Sequence, residues 1–73
     1  MTMEWRIEIR HGETEHHLWL LGIHLAAVYH VSKRRPDPWR SVVFSPVDGL
    51  SLRGAPHATL KQAREWCELE VGK

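Results

Sequence analysis

The sequence has little of several features that would point to a function. It contains one cysteine in 73 residues, so no internal disulfide can form, and a reducing cytoplasm is a better fit than secretion. The first ten residues lack the apolar segment of a signal peptide. The longest apolar run is too short to span a membrane and contains three histidines. The formal net charge of +1 gives no general attraction to nucleic acid or to anionic lipid.

Motifs for catalysis and metal binding are also missing. No histidines or cysteines have the spacing of a zinc site. Adjacent His16 and His17 point to opposite faces of a strand and cannot easily bind one ion, while His24 and His30 would lie about 20 Å apart. Cys67 falls on the apolar stripe of a helix, the position of a small core residue rather than of a nucleophile. We therefore predict no enzyme activity, no cofactor and no bound metal.

The chain is organised around residues 17–31, HLWLLGIHLAAVYHV, an apolar run that is broken only at Gly22. It is rich in strand-forming side chains, and glycine adopts the positive φ of a tight turn without steric cost. We predict two antiparallel strands with a turn at Leu21-Gly22, or a longer loop over residues 21–24, because leucine is a poor first turn residue. A helix is the alternative, since apolar residues of the run also recur at a spacing of three or four.

Four strands are predicted in all, and two of them lie within this run. Residues 3–10 alternate apolar and charged side chains, which is the period of a half-buried antiparallel strand. The remaining strands are predicted at 16–21, 24–32 and 39–45, joined as a meander, with a first loop that contains Gly12. Residues 32–38 hold two prolines and a run of charges, which indicates a loop between the last two strands.

The only predicted helix covers residues 60–71. Thr59 is a suitable N-cap, and Gln62 completes a capping box three residues later. Residues 46–58 contain two prolines and two glycines and are expected to be irregular. The fold class is α+β, a single small domain over residues 1–73 with a four-stranded antiparallel β-meander packed on one C-terminal α-helix. The predicted core consists of Trp5, Ile7, Val28, Val43, Leu60, Ala63 and Cys67.

A sheet with one helix leaves its second face uncovered, and this face is the expected binding surface. The loop at residues 33–40 is basic and is flanked by aromatic residues. Arginine, tryptophan and tyrosine contribute most to interface hot spots, whereas basic and aromatic side chains together also suit phosphates and bases. A loop that is merely solvated is the third reading. The predicted partner-binding residues are Lys33, Arg34, Arg35, Arg40, Trp19, Tyr29 and Trp39.

Several short elements together resemble small proteins of phages and prophages that have a meandering sheet followed by one helix. They are Trp19, Gly22, Leu25-Ala26-Ala27-Val28, Trp39 and Thr59-Leu60-Lys61-Gln62-Ala63-Arg64. The resemblance implies an accessory protein of a mobile element. Several anti-CRISPR proteins are similar in size and kind, being compact, non-enzymatic and active by binding a host complex. Double-stranded-RNA-binding domains also combine a three-strand meander with a C-terminal helix, but this chain lacks their N-terminal helix.

The uncovered sheet face and the basic loop predict a non-enzymatic protein-binding module. The resemblance implies that this module is a phage-type, anti-CRISPR-like inhibitor that docks on a bacterial protein complex such as a CRISPR effector subunit. Its expected location is the cytoplasm of a bacterial host. The alternative is a small nucleic-acid-binding accessory protein that uses the basic loop 33–40. A homodimer that pairs exposed sheet faces or an edge strand is compatible with both readings.

Overall fold

The computed structural model describes residues 3–31, 36–45 and 47–72. Within them, five strands form one antiparallel sheet in chain order, and a single helix follows. The predicted α+β class and the meander-plus-helix layout are therefore confirmed. The elements are β1 (Glu4–Arg10), β2 (Glu13–Leu20), β3 (Ile23–His30), β4 (Trp39–Phe44), β5 (Ser51–Arg53) and α1 (Leu60–Val71).

The first two hairpins close through two-residue turns at His11-Gly12 and Leu21-Gly22. All four residues have positive φ, 52° and 78° in the first turn and 51° and 79° in the second. This is the backbone that matches the twist of the flanking strands, and glycine supplies it at no steric cost. The predicted hairpin at Leu21-Gly22 is confirmed, and neither the helix alternative nor the longer loop is present.

The prediction of four strands is wrong, because a fifth strand lies within the stretch 46–58 that was expected to be irregular. The Asp48 carboxylate accepts a hydrogen bond from the Leu50 backbone N–H at 3.0 Å, and Gly49 has a φ of 73°. This turn reverses the chain so that β5 pairs with β4. A strand of three residues is too short to show a period of two, so the sequence pattern gave no sign of it.

The predicted helix boundaries and cap are confirmed. Thr59 has an extended backbone, with a φ of −129°, and its hydroxyl accepts a hydrogen bond from the Gln62 N–H at 3.1 Å. The Gln62 side chain reaches back and accepts from the Ala58 N–H at 3.2 Å, one residue before the expected partner. Among the described residues, no helix is long and apolar enough to cross a membrane.

The core lies between α1 and the face of the sheet that α1 covers, which we call the helix side. Its largest fully buried side chains are Leu18, Val28 and Cys67. Burial, followed by the charge of the neighbouring Glu68, raises the pKa of the Cys67 thiol to about 12, although a hydrogen bond with Ser41 lowers it. The predicted core residues that are buried or packed against the core are Trp5, Val28, Val43, Leu60, Ala63 and Cys67.

Ile7 is the predicted core residue that the structure does not bury. Its side chain is 65% exposed, and that of Ile9 is 74% exposed. Both residues follow Trp5 on the helix side of β1, as the alternating pattern predicts. They remain exposed because α1 packs against β3 and β4 and does not extend over the middle of β1.

Candidate functional site on the helix-free face

The opposite face of the sheet, the helix-free face, is defined by the strand register. Arg6 is opposite His17, His17 is opposite Ala27, and Ala27 is opposite Val42. Residues directly opposite each other in an antiparallel sheet point to the same face. This row therefore runs across four strands on the side that α1 does not cover.

Three of the predicted binding residues lie on this face, in two separate places. Tyr29 and Arg40 are direct cross-strand neighbours on β3 and β4. Trp19 is opposite His24, at the other end of β3. His24 is five positions from Tyr29 along this strand, so the two places are about 16 Å apart. The Arg6 guanidinium lies over the Trp19 ring, 5.2 Å from its centroid, and forms a cation–π contact.

Trp39 does not belong to this face, although the sequence predicts it, with Trp19 and Tyr29, as a partner-binding residue. Its ring points to the helix side, packs against the core and makes edge contacts with His30 and His16 at centroid distances of 5.0 and 6.1 Å. The alternation along β4 explains this, because neighbouring Trp39 and Arg40 must point to opposite faces. The remaining predicted residues, Lys33, Arg34 and Arg35, lie outside the described residues.

An aromatic row follows from a bulge between β2 and β3. Leu18 is opposite Ala26, but the next residue, Trp19, is opposite His24, so Leu25 is an extra residue on β3. Leu25 turns into the core and is 7% exposed. His24 stays on the helix-free face, where it stacks on Trp19 at 4.7 Å and contacts Phe44 at 5.0 Å.

A network of charged and polar groups adjoins this row. His17 is only 8% exposed. Its Nδ1 lies 2.9 Å from His24 Nε2, and its Nε2 lies 3.1 Å from a Glu15 oxygen and 3.3 Å from a Glu8 oxygen. The Arg10 guanidinium contacts the same two carboxylates at 3.5 and 3.3 Å. One imidazole and one guanidinium thus share two glutamates.

Glu8, Glu15 and His17 are the described residues best placed to hold a small divalent cation, because their ligand atoms all lie within 4.8 Å of one another. Arg10 already neutralises part of the carboxylate charge. Both ring nitrogens of His17 already have hydrogen-bond partners, Glu15 at Nε2 and His24 at Nδ1. The contacts are therefore satisfied without an ion, and the cluster is explained as a hydrogen-bonded ion network.

Sequence spacing missed this network because its members come from three strands. The signal was present in the first turn. With a two-residue turn at His11-Gly12, the hairpin register places Glu8 opposite Glu15. The sequence prediction instead assigned a longer loop to residues 11–15, which removed Glu15 from the strand.

A second polar pair, Ser41 and His57, resembles a nucleophile and its base. The Ser41 hydroxyl lies 2.9 Å from His57 Nε2, and burial followed by the Arg40 charge lowers the pKa of His57, while Asp37 raises it. Ser41, however, is 2% exposed. Because the hydroxyl faces the protein interior, a substrate carbonyl has no route to it, and the pair serves to satisfy buried polar groups.

An apolar groove lies where the end of α1 meets the β4–β5 hairpin. Its volume is about 580 Å³, and its charged lining residues, Asp48 and Glu70, are not buried. The groove therefore offers apolar contact but no buried charge that would orient a small polar ligand. Its apolar lining consists of Leu20, Leu25, Val43, Phe44, Leu50, Leu52 and Val71.

The histidines of the sheet and of the loop before α1 predict a loss of stability in acid. Burial is the main cause that lowers the pKa of His16, His24 and His57 below 6.5. The Nδ1 of His16 is buried without a hydrogen-bond partner, and the Arg64 charge lowers the pKa of His16 further. The unfolded chain therefore binds these protons at a higher pH than the folded chain does. The stability that is present above about pH 6.5 is lost as the pH falls through the folded pKa values.

We expect the urea midpoint to fall between about pH 7.5 and about pH 5.5, a range in which carboxylates remain ionised. Tryptophan fluorescence measures the midpoint. The variant His16→Gln removes one of the three groups, so its midpoint should change less over the same range. Equal midpoints of the unmodified protein at both pH values would contradict the prediction.

No family model matches the chain, no curated protein matches it, and no solved structure matches its fold. A meander followed by a helix does not identify a function, because one fold can carry unrelated activities. The chemistry of the helix-free face is therefore the basis for a functional proposal.

Proposed function

We propose that the protein is a non-enzymatic binding module that docks on another protein through its helix-free face. The observation that supports this most directly is that aromatic and arginine side chains lie on a sheet face that no described element covers. Tyr29 and Arg40 lie side by side there, and Arg53 is opposite Val42 on the same face. Tyrosine and arginine contribute much of the binding energy in protein interfaces.

The charges on this face indicate an acidic partner surface. At the β1–β2 end, arginines and glutamates already pair with one another, as in the Arg10–Glu8 contact at 3.3 Å. At the β4–β5 end, neither Arg40 nor Arg53 forms an ion pair within the described part of the chain. Arg40 instead donates to the Asp37 backbone carbonyl at 2.7 Å, and Tyr29 is its cross-strand neighbour.

The identity of the partner is proposed from the resemblance to phage and prophage accessory proteins. The partner is a bacterial protein complex such as a CRISPR effector subunit, and the protein is an inhibitor of anti-CRISPR type in the cytoplasm of a bacterial host. An inhibitor of this kind acts by occupying a surface, so it needs complementary shape and charge rather than catalytic groups. In the chain, Lys33, Arg34 and Arg35 come shortly before Arg40 and would add to its positive charge.

Charge reversal at Arg53 tests the proposed surface. We expect Arg53→Glu to weaken partner binding about tenfold, because it places a carboxylate where an acidic partner surface docks. Lys61→Glu is the matched control, since Lys61 lies on the outer side of α1 with a side chain that is 87% exposed. Immobilised protein captures partners from a bacterial lysate, and the captured protein is then titrated against each variant.

Equal affinity of the Arg53→Glu variant and the unmodified protein would show that the helix-free face is not the docking surface. An equal loss in the Lys61→Glu control would show a general effect of negative charge. If the unmodified protein captures nothing above background, the docking function itself is wrong.

Nucleic-acid binding is the second candidate, and the Arg6–Trp19 contact favours it because guanidinium groups bind phosphates and indole rings stack on bases. The glutamates on the same face, Glu4, Glu8 and Glu15, oppose phosphate binding. A salt titration separates the two candidates. Binding to DNA or RNA at low salt that weakens steeply as salt rises would favour the nucleic-acid reading, and no such binding would exclude it.

A further inference from the structure

One edge of the sheet is long and has no partner strand among the residues that the structure describes. This edge is β1, which has seven residues, whereas the other edge strand, β5, has three. The open backbone donors and acceptors of such an edge can pair with another strand. The edge also carries apolar surface on the helix side, because Ile7 and Ile9 are 65% and 74% exposed.

We propose that the protein forms a homodimer in which the β1 strands of two copies pair antiparallel, centred on Ile7. The sequence of β1 is EWRIEIR. When two copies of this strand run antiparallel with Ile7 opposite Ile7, Glu8 of one copy is opposite Arg6 of the second copy. Arg10 is then opposite Glu4 of the second copy. Each ion pair occurs twice across the two-fold axis. The strand is therefore complementary in charge to its own reverse, which identifies a second copy of the chain as the partner.

The same charges exclude the neighbouring registers. If the pairing is centred on Arg6, that residue faces itself and Glu4 faces Glu8. If it is centred on Glu8, that residue faces itself and Arg6 faces Arg10. Like charges directly opposite each other are destabilising. Pairings centred on Trp5 or Ile9 again place opposite charges across from each other, but they pair only part of the strand. Of these pairings, the one centred on Ile7 alone pairs the whole strand and also matches opposite charges.

The apolar side chains fit the same register. Ile7 meets Ile7 of the second copy, and Ile9 meets Trp5 of the second copy, all on the helix side. Trp5 is held in place, because its indole N–H donates to a Glu68 oxygen at 2.9 Å and the Arg64 guanidinium lies 4.8 Å from its ring centroid. The dimer therefore covers the two isoleucines that α1 leaves exposed.

The two-fold axis of this pairing is perpendicular to the sheet, so both helix-free faces point to the same side of the dimer. The homodimer does not depend on the proposed docking function, because its contacts lie at the β1 edge. If that function holds, the dimer presents two docking surfaces side by side, and binding to a repetitive partner gains from both.

Charge-exchange variants test the register. In Arg6→Glu, two pairs of carboxylates face each other, and in Glu8→Arg, two pairs of guanidinium groups do, so each variant should form the homodimer more weakly than the unmodified protein. When the two variants are mixed, every position again faces an opposite charge, and a heterodimer should form. The double variant Arg6→Glu with Glu8→Arg should form a homodimer, and Lys61→Glu, on the outer side of α1, is the matched control.

The measurement is size-exclusion chromatography with light scattering over a concentration series, together with native mass spectrometry of the mixture. We expect the unmodified protein at twice its chain mass of 8.5 kDa and each single variant at least about tenfold weaker in self-association, which is the loss of one decade in the dissociation constant. Circular dichroism verifies folding, and Ile7→Lys tests the same interface without altering the ion network if a charge variant unfolds. A monomer at every concentration, or single variants that dimerise like the unmodified protein, would overturn the proposal.

Discussion

Replacing Leu18 by alanine is expected to lower the free energy of unfolding by about 2–5 kcal/mol. Leu18 is fully buried on the helix side of β2, where it belongs to the core that α1 covers. Removing its branched end leaves a cavity that the sheet cannot close, because the hydrogen bonds to β1 and β3 fix the backbone on both sides. A chain of this length has a total stability of only about 4–11 kcal/mol, so the variant approaches the unfolding threshold.

Urea denaturation followed by circular dichroism, at one fixed protein concentration, measures this loss. Leu69→Ala is the matched control, since Leu69 is 70% exposed on α1 and its replacement should change stability by no more than about 0.5 kcal/mol. Similar effects of the two substitutions would mean that Leu18 does not anchor the core.

Replacing Gly54 by alanine is expected to cost about 1–3 kcal/mol, because it overpacks a filled site. A methyl group at this position would lie 2.5 Å from the Ser41 hydroxyl oxygen and 3.1 Å from the Trp66 ring. The backbone cannot retreat freely, since the Gly54 N–H donates to the Ser41 carbonyl at 3.0 Å. The hydroxyl cannot turn away without losing its hydrogen bond to His57 at 2.9 Å. The cost is steric and does not come from the backbone conformation of glycine.

A double-mutant cycle separates this clash from a general loss of packing. The double variant Ser41→Ala with Gly54→Ala removes the oxygen that the new methyl group meets, so it should be more stable than the sum of the two single effects. Thermal and urea denaturation of the four proteins give the coupling free energy. If Gly54→Ala is as stable as the unmodified protein, the close approach of Gly54 to the Ser41 hydroxyl and the Trp66 ring is not a packing constraint.

Features that depend on a few neighbouring residues could be predicted from the sequence. The alternation of residues 3–10 identified β1, Gly22 marked the second turn, and Thr59 with Gln62 marked the start of α1. Each follows from local backbone preference or from side-chain period, which do not depend on the rest of the molecule. Hence the fold class and most strand positions were predicted correctly, while the short β5 was missed.

The site required contacts between residues that are distant in the chain. The bulge beside Trp19 decides that Leu25 is buried in the core and that His24 lies on the helix-free face, and no pattern in β3 shows where the register shifts. Likewise, the network around His17 exists because the hairpin register brings Glu8 and Glu15 together. These residues could be predicted only after the turn length was known.

The sequence by itself determined the type and order of four of the strands and of the helix, and, away from the bulge beside Trp19, the face on which the side chains of a strand lie. Only the tertiary structure decided which part of each face is covered, because α1 packs across β3 and β4 and leaves the far end of β1 open. Ile7 shows the difference, since its pattern assigns it to the core side although it is 65% exposed. Backbone periodicity fixes the direction of a side chain, but burial depends on where a distant element comes to rest.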